Sequence, residues 1–345
     1  MIKNEPITLS RGECKVIAEA GANHNNSVDR AIEMARRAAD AGAWAIKYQL
    51  YKASTIAVKQ SPKYWSDEIG TATQYEAFTL SDKLEYRDYG DIAQACEDLG
   101  IEFFATPFDS DAVAALEDIG ARLYKVASAD LTNRPLLREI GATGKMVMIS
   151  TGAAELDEIK RALDWLDLPA DRVVPMACTL TYPTPDPDGN FARITGLQKN
   201  FPNHMIGMSD HTLGVAGGWM AGALGAVVIE KHYTIDKKLP DVPDHAMSVD
   251  PEELRELVDA AARAALLRGS EELSPVASEL AAREMARRSV VLLENLPEGH
   301  LLAEADLATK RPGTGIGADH FDEVVGRYLA RAVSADQPLV WDDLR

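Results

Sequence analysis

Short apolar runs recur along the chain, each followed by a polar turn and then by apolar residues at helical spacing. The runs are KVIAEAG (15–21), AWAIKYQ (43–49), EFFATPF (102–108), LYKVASA (123–129), MVMISTG (146–152), VVPMACT (173–179), MIGMSDH (205–211) and VVIEKHYT (227–234). They are nearly continuous rather than alternating, the pattern of strands buried on both faces in a parallel sheet. Between them the period changes. Val28, Ile32, Ala35 and Ala39 share one helical face, as do Leu254, Val258, Ala261 and Ala265. Asp157, Glu158 and Asp250 fall at helix starts, where negative charge suits the helix dipole. Eight strand–helix units over about 270 residues predict an α/β fold, a (β/α)8 TIM barrel with room for insertions.

The longest gap, 50–101, is read as an insertion. Its stretch YWSDEIGTATQYEAF (64–78) is irregular and aromatic, either a substrate-side loop or a plain surface excursion. Residues 213–229, LGVAGGWMAGALGAVVI, carry no charge, and Gly214, Gly218 and Gly222 have the spacing of a transmembrane dimer motif. The run sits at the short limit for a span and turns β-branched after Gly225, so it is read as a tightly packed helix followed by a buried strand. After Arg268 the texture changes. GSEELSPVASELAAREMARR (269–288) is polar and helical only near its end, and the last stretch alternates short strands with turns. The expected organisation is a catalytic barrel over 1–268, a linker over 269–284 and a small domain over 285–345. A domain that small has a marginal core and is expected to dock on something.

Composition narrows the function. The chain has 345 residues, 46% of them hydrophobic, and a net charge of -18 from 36 basic and 54 acidic side chains. Such a surface is repelled by phosphate backbones and anionic lipid, so neither nucleic acid nor membrane is an expected partner. A small anion remains possible where lysines or arginines cluster. Cys14, Cys96 and Cys178 are widely spaced, which argues against disulfides or structural zinc and fits a reducing, cytoplasmic setting. Lys3, Glu5, Pro6, Arg11 and Glu13 stand where a signal peptide needs an apolar run.

In a barrel of this kind the reacting groups collect at the C-terminal strand ends. Those ends carry Glu19, Lys47, Gln49, Thr106, Lys125, Ser128, Ser150, Thr151, Thr179, Tyr182, Ser209, His211, Glu230 and His232. Polar groups converging on a barrel mouth must find partners. Lys47 and Lys125 interrupt apolar strands. Each is either paired with an acid such as Glu19 or Asp130, or, with nearby hydroxyls, grips a phosphate or carboxylate; Schiff-base chemistry is a further option. His211 and His232 end consecutive strands. They are either structural or share one divalent ion with coordination positions left open for water and substrate, with the carboxylates of SDH and EKH as orienting partners.

At these residues the chain resembles the sialic acid synthase family, enzymes that make N-acetylneuraminic, legionaminic or pseudaminic acid. The resemblance rests on AEAGANHN (18–25), IKYQ (46–49), FFATPFD (103–109), YKVAS (124–128), ISTGAA (149–154), CTLTYPTP (178–185), IGMSDHTLG (206–214), VIEKHYT (228–234), PDHAMSVDPEEL (243–254) and KRPGTGI (310–316). It implies a barrel followed by a C-terminal antifreeze-like (SAF, β-clip) domain. The implied reaction condenses phosphoenolpyruvate with the open-chain aldehyde of an N-acetylmannosamine-type sugar and releases phosphate. By motif position, His211 and His232 are implied to hold Mn2+ or Mg2+, and Glu230 to be an acid near the metal. Lys47, Thr106, Lys125, Ser128, Thr179 and Ser209 are implied to bind phosphoenolpyruvate. Glu19, Gln49, Tyr182 and Asp244 are implied to face the sugar or the reacting oxygens. Arg311 is implied to reach the N-acyl group in the partner's barrel, which makes a domain-exchanged homodimer the expected assembly. Three departures bear on the acceptor sugar: Asn26 where the family often has Gly, Leu180 where some members have Asn, and Val242 where Gly is common. The alternatives are the same chemistry on a 2,4-diacetamido-2,4,6-trideoxy hexose, a divalent-metal aldolase, and a catalytically inactive sugar-binding barrel.

Overall fold

The structure, a computed structural model, describes residues 7–65, 70–240 and 242–345. Lys3, Glu5 and Pro6 of the leader reading, and part of the 64–78 stretch, lie outside the described residues. The chain divides into two compact units, one ending at Gly269 and the other beginning at Ser270.

In the first unit eight parallel strands close in sequence order into one barrel: β1 (Lys15–Gly21), β2 (Ala45–Leu50), β3 (Glu102–Pro107), β4 (Leu123–Val126), β5 (Met146–Ser150), β6 (Val173–Cys178), β7 (Gly207–Asp210) and β8 (Val228–His232). Each predicted run supplies one strand, shortened where the chain turns. Ser128 opens a 3-10 turn, Ser128–Asp130, and His211 lies one residue beyond β7.

Side chains alternate in and out along a strand, so inward residues sit two apart. Ile17, Ala45, Phe104, Leu123, Met148, Met176 and Val228 belong to one buried apolar cluster, with Leu9 packed among them. Two residues further along the same strands come Glu19, Lys47, Thr106, Lys125, Ser150, Cys178 and Glu230, and on β7 Gly207 precedes Ser209. Every strand therefore steps from an apolar layer to a layer of side chains that bear hydroxyl, thiol or charge. That step places the site.

The opposite strand faces pack against helices. Helix Val28–Asp40, capped by Ser27, buries Ala31, Met34, Ala35 and Ala38. The buried face is thus turned from the expected one: Ala35 is shared, while Val28, Ile32 and Ala39 flank it half-buried. Small side chains let the helix lie close to the sheet, and the larger ones take the margin. Helix Pro251–Arg268 starts at the Asp250 capping box and buries Leu254, Ala261 and Ala265 as expected, with Val258 at the edge. The Gly-rich run forms helix Ala216–Ala223, which packs on it. A Cβ on Gly218 would lie 2.9 Å from the Leu257 carbonyl oxygen, and one on Gly222 2.5 Å from that of Ala261. The small-residue spacing serves a helix contact in the barrel wall. Among the described residues no helix is long and apolar enough to cross a membrane.

His24 is buried beside the rings of Tyr48 and Tyr89, and its Nδ1 has no hydrogen-bond partner. Burial, with a smaller push from Arg30, lowers its pKa from 6.5 to about 4. The unfolded chain takes up this proton near pH 6.5 and the folded one only near 4, so stability is retained above the first value and lost between the two. The expected loss is about 3 kcal/mol. Denaturant titrations at stepped pH should show it, and His24→Gln should flatten that part of the profile. An unchanged profile in the variant contradicts the assignment.

The second unit has its own core around Val290, Leu292, Ile316, Leu329 and Leu339. Its strands β9 (Ser289–Leu292) and β10 (Leu307–Lys310) pair antiparallel. Helix Leu280–Ala286 lies within the stretch read as a partly helical linker, and the Gly313 N–H donates to the Glu284 carbonyl at 2.8 Å.

Candidate active site

The polar layer surrounds one cavity at the C-terminal mouth of the barrel. Register brings its members together: Glu19 is the Cα partner of both Lys47 and His232, and Ser209 that of Glu230. Lys47 Nζ lies 2.8 Å from Glu19 Oε2 and 3.6 Å from Glu230 Oε1, and donates to Thr106 Oγ1 at 3.1 Å. Lys125 Nζ donates to Ser150 Oγ at 2.6 Å and to the Val126 carbonyl at 3.2 Å, 3.9 Å from Glu230 Oε1. Ser209 Oγ donates to Glu230 Oε1 at 3.3 Å, and Gln49 Nε2 to Glu19 Oε1 at 2.8 Å. Of the two readings of the lysines, the pairing with an internal acid is observed. Each ammonium has an internal acid near it, and both still line the cavity. Asp130 is not the acid; it accepts from Asn133.

The charges are unevenly poised. Burial raises the pKa of Glu19, as does Glu230, while Lys47 opposes them. Burial acts on Glu230 too, but Lys125, Lys47 and His211 outweigh it and hold it low. Burial lowers the pKa of Lys125; for Lys47 the same burial is overcome by Glu19 and Glu230, which raise it. The two carboxyl groups, on neighbouring strands, are thus shifted in opposite directions, Glu19 up and Glu230 down. Such separation marks sites that move protons.

The imidazoles of His211 and His232 meet with ring centroids 5.4 Å apart. His211 Nδ1 donates to the Thr179 carbonyl at 2.8 Å; burial lowers its pKa, but Cys178, that carbonyl and Glu230 outweigh it and raise it, so Nε2 carries a free lone pair only in the neutral form. Burial, then His211, Lys47, Lys231 and Lys125, drive the pKa of His232 far down, so that ring is neutral. Its Nδ1 and Glu230 Oε2 are buried without hydrogen-bond partners, and both residues line the cavity. Two imidazoles that close together, one of them oriented by a backbone carbonyl, fit one shared divalent cation. Among the described residues no group of three or more His, Cys, Asp or Glu is placed to hold a metal ion.

The expected orienting carboxylates are not the ones found. Asp210 points away from His211, and a backbone carbonyl orients that ring instead. The Thr179 hydroxyl donates to the Asp188 carbonyl at 2.8 Å, so the residue enters the site through its main chain and is absent from the cavity lining. Ser128 lines the cavity, and its Oγ accepts from the Gly152 N–H at 3.0 Å. The Tyr182 ring lies 4.2 Å from that of His211 and 5.8 Å from that of His232. Asp244 Oδ2 is 3.7 Å from His232 Nδ1. Arg311 belongs to the second unit. Phe108 and Cys178 also line the cavity and escaped the sequence reading; the two-residue step from Met176 was the signal that pointed to Cys178.

The three departures have local explanations. Asn26 has φ 58°, and its side chain donates to the Leu80 carbonyl and accepts from the Lys83 N–H, tying the loop to the inserted segment. Val242 has φ −139°, a value that asks for no glycine, and precedes the turn bearing Asp244. The Leu180 Cβ would lie 3.1 Å from a Cβ on Gly152, beside Ser128. In the 64–78 stretch, ring contacts run from Tyr64 to Trp65, Phe78 and Tyr51 and reach Phe108 on the cavity wall.

This fold and this mouth define a barrel enzyme for an anionic substrate, with paired acids and an imidazole pair. The chain belongs to the NeuB family, whose sequence model matches residues 34–272, and an SAF domain model matches 287–345. It is 36% identical over 339 residues to N,N'-diacetyllegionaminic acid synthase of Legionella pneumophila, covering 96% of this chain and 94% of that one. It is 30% identical over 336 residues to human N-acetylneuraminate-9-phosphate synthase, covering 95% and 91%. Among solved structures, the N-acetylneuraminic acid (sialic acid) synthetase of Leptospira borgpetersenii superposes with a TM-score of 0.71 at 31% identity, over 81% of this chain and 94% of that one.

Proposed function

We propose that this chain is a nonulosonic acid synthase. Phosphoenolpyruvate C3 attacks the open-chain aldehyde of an N-acylated, mannosamine-type amino sugar, water adds at C2, and phosphate leaves. The observation that carries this reading is the single layer of two ammonium groups, two unequal carboxyls and hydroxyls that faces the imidazole pair across one cavity.

Lys47, Lys125, Thr106, Ser128 and Ser209 bind the phosphate and carboxylate of phosphoenolpyruvate. The substrate brings roughly three negative charges into a water-poor mouth. Glu19 and Glu230 already balance the two lysines, so the pair of ammonium groups does not meet that charge alone. His211 and His232 would hold a divalent cation, manganese or magnesium; when bound, it supplies Lewis-acid polarisation of the aldehyde oxygen. Glu19, whose pKa burial raises, exchanges a proton with the reacting oxygens. Glu230 stays ionised and keeps both lysines charged and in place. Gln49, Tyr182 and Asp244 orient the acceptor. We further propose a barrel over 1–268, a linker over 269–284 and a C-terminal domain over 285–345 that docks in a domain-exchanged homodimer. There Arg311 offers a planar donor fork to the N-acyl carbonyl. Three buried, unpaired thiols support a cytoplasmic setting.

Within this chemistry, a 2,4-diacetamido-2,4,6-trideoxy hexose is the second acceptor to test, because a relative at 36% identity is named for N,N'-diacetyllegionaminic acid. The deciding experiment is phosphate release from phosphoenolpyruvate with Mn2+ or Mg2+ across these acceptors. Acceptor-dependent release is expected. Release with none of them, or carbon–carbon bond formation from pyruvate as in an aldolase, overturns the proposal. Arg311→Ala should raise the acceptor KM at least tenfold or so and spare the KM for phosphoenolpyruvate; unchanged acceptor kinetics remove Arg311 from the site.

A further inference from the structure

On the outer face of β7 and β8, directly behind the two imidazoles, lies a buried ion pair that the chemistry above does not use. Lys231 Nζ is 2.8 Å from Asp210 Oδ2, with 1% and 0% of the side chains exposed. The two residues are register partners, and each is the immediate chain neighbour of one imidazole. Asp210 Oδ1 accepts from both the N–H and the hydroxyl of Thr212, at 2.8 Å each, and Lys231 Nζ also donates to the Thr212 carbonyl. Asp210 thus holds the Thr212 N–H, in the peptide that leaves His211, and Lys231, one residue before His232 on β8, holds the Thr212 carbonyl in the next peptide. Helix Ala216–Ala223 leaves room for this arrangement at Gly217, where a Cβ would fall 2.2 Å from Asp210 Oδ2.

Stability alone does not account for such a pair, since a buried ion pair is often no better than apolar residues of similar volume. Register does. Side chains alternate between faces, so a one-residue slip would carry both imidazoles outward and send a carboxylate and an ammonium into the cavity. An acid on one strand and a base on its partner resist that slip, because both charges must leave water together. We infer that Asp210 and Lys231 are positioning residues that hold the ends of β7 and β8 so that His211 and His232 meet at one divalent cation. The inference rests on the metal reading given above.

The test is Mn2+ affinity of the full chain, read by the loss of the free-ion electron paramagnetic resonance signal, with thermal melting alongside. Asp210→Leu/Lys231→Met removes both charges together. It should fold and bind Mn2+ about ten- to a hundredfold more weakly, the range for partners that orient metal ligands. Gly217→Ala, which keeps both charges and displaces Asp210, should shift the affinity in the same direction. A matched pair at the far end of the barrel is the control: Arg122 Nε donates to Glu102 Oε1 at 3.1 Å, and Glu102→Leu/Arg122→Met should melt earlier without altering Mn2+ affinity. Wild-type affinity in the folded Asp210/Lys231 double variant overturns the inference. If that variant does not fold, wild-type affinity in Gly217→Ala overturns it. Absence of Mn2+ binding by the unmodified chain removes the metal reading, and this inference with it. Binding that no variant weakens removes the positioning role alone.

Discussion

His211→Ala and His232→Ala should each reduce kcat by about a thousandfold or more, a loss of ~4 kcal/mol in the transition state. In the proposed site the cation is held by two imidazoles, whose ring centroids lie 5.4 Å apart, so removing either would leave one of the two. The fold should survive. Both rings border the cavity rather than the sealed apolar layer beneath it, so truncation leaves space that water can enter. Steady-state phosphate release and thermal melting, measured on the same preparations, check the two halves of this result. Activity within tenfold of wild type in either variant would remove the imidazole pair from the chemistry. A collapse in melting temperature would instead mark the rings as structural.

Lys125→Met should lower kcat/KM for phosphoenolpyruvate by about a hundred- to a thousandfold while leaving the acceptor KM nearly unchanged. The Lys125 ammonium is desolvated; among the described residues its close polar partners are the Ser150 hydroxyl, the Val126 carbonyl and, at 3.9 Å, Glu230. Burial lowers its pKa, and Glu230 only partly opposes that shift. Methionine keeps most of the volume and removes the charge. Lys47 is a less clean probe, because it is held by Glu19 at 2.8 Å and its loss strands that acid. The check is kcat/KM for phosphoenolpyruvate at saturating acceptor, with inhibition by inorganic phosphate as a second readout. An effect confined to the acceptor KM would place Lys125 on the wrong substrate.

Much of this arrangement was legible before any coordinates. Strands buried on both faces leave continuous apolar runs, and all eight runs became strands of one closed barrel. The polar residues at their ends stood out against that background, which is why Glu19, Lys47, Lys125, Ser209, Glu230 and both histidines were found together. What the sequence left open depends on register, which sets contacts between residues far apart in the chain. Whether Lys47 met an acid or a ligand was posed as a choice; parallel pairing of β1 with β2 sets Glu19 beside it and keeps the cavity open as well. Asp210 precedes His211 in the chain, which makes it look like that ring's orienting partner. Alternation sends it to the opposite face, and a stricter two-residue count would have shown this. The same count places Cys178 in the polar layer, two residues past Met176. Thr179 misled for another reason: a hydroxyl looks like a phosphate donor in sequence, whereas here it closes a loop on Asp188 and lends its carbonyl to His211. The rotated face of helix Val28–Asp40 shows the limit of helical spacing. Alanines read as weakly apolar, yet their size decides which side approaches the sheet.

The central claim is that one cation sits between His211 and His232 beside phosphoenolpyruvate. The most direct test is a crystal of the full chain grown with Mn2+ and phosphoenolpyruvate and measured at a wavelength where manganese scatters anomalously. One manganese peak should lie within bonding distance of a nitrogen of each ring, with the phosphate against Lys47 and Lys125. Manganese bound elsewhere, or the two rings hydrogen-bonded to protein with phosphoenolpyruvate seated away from them, would contradict it.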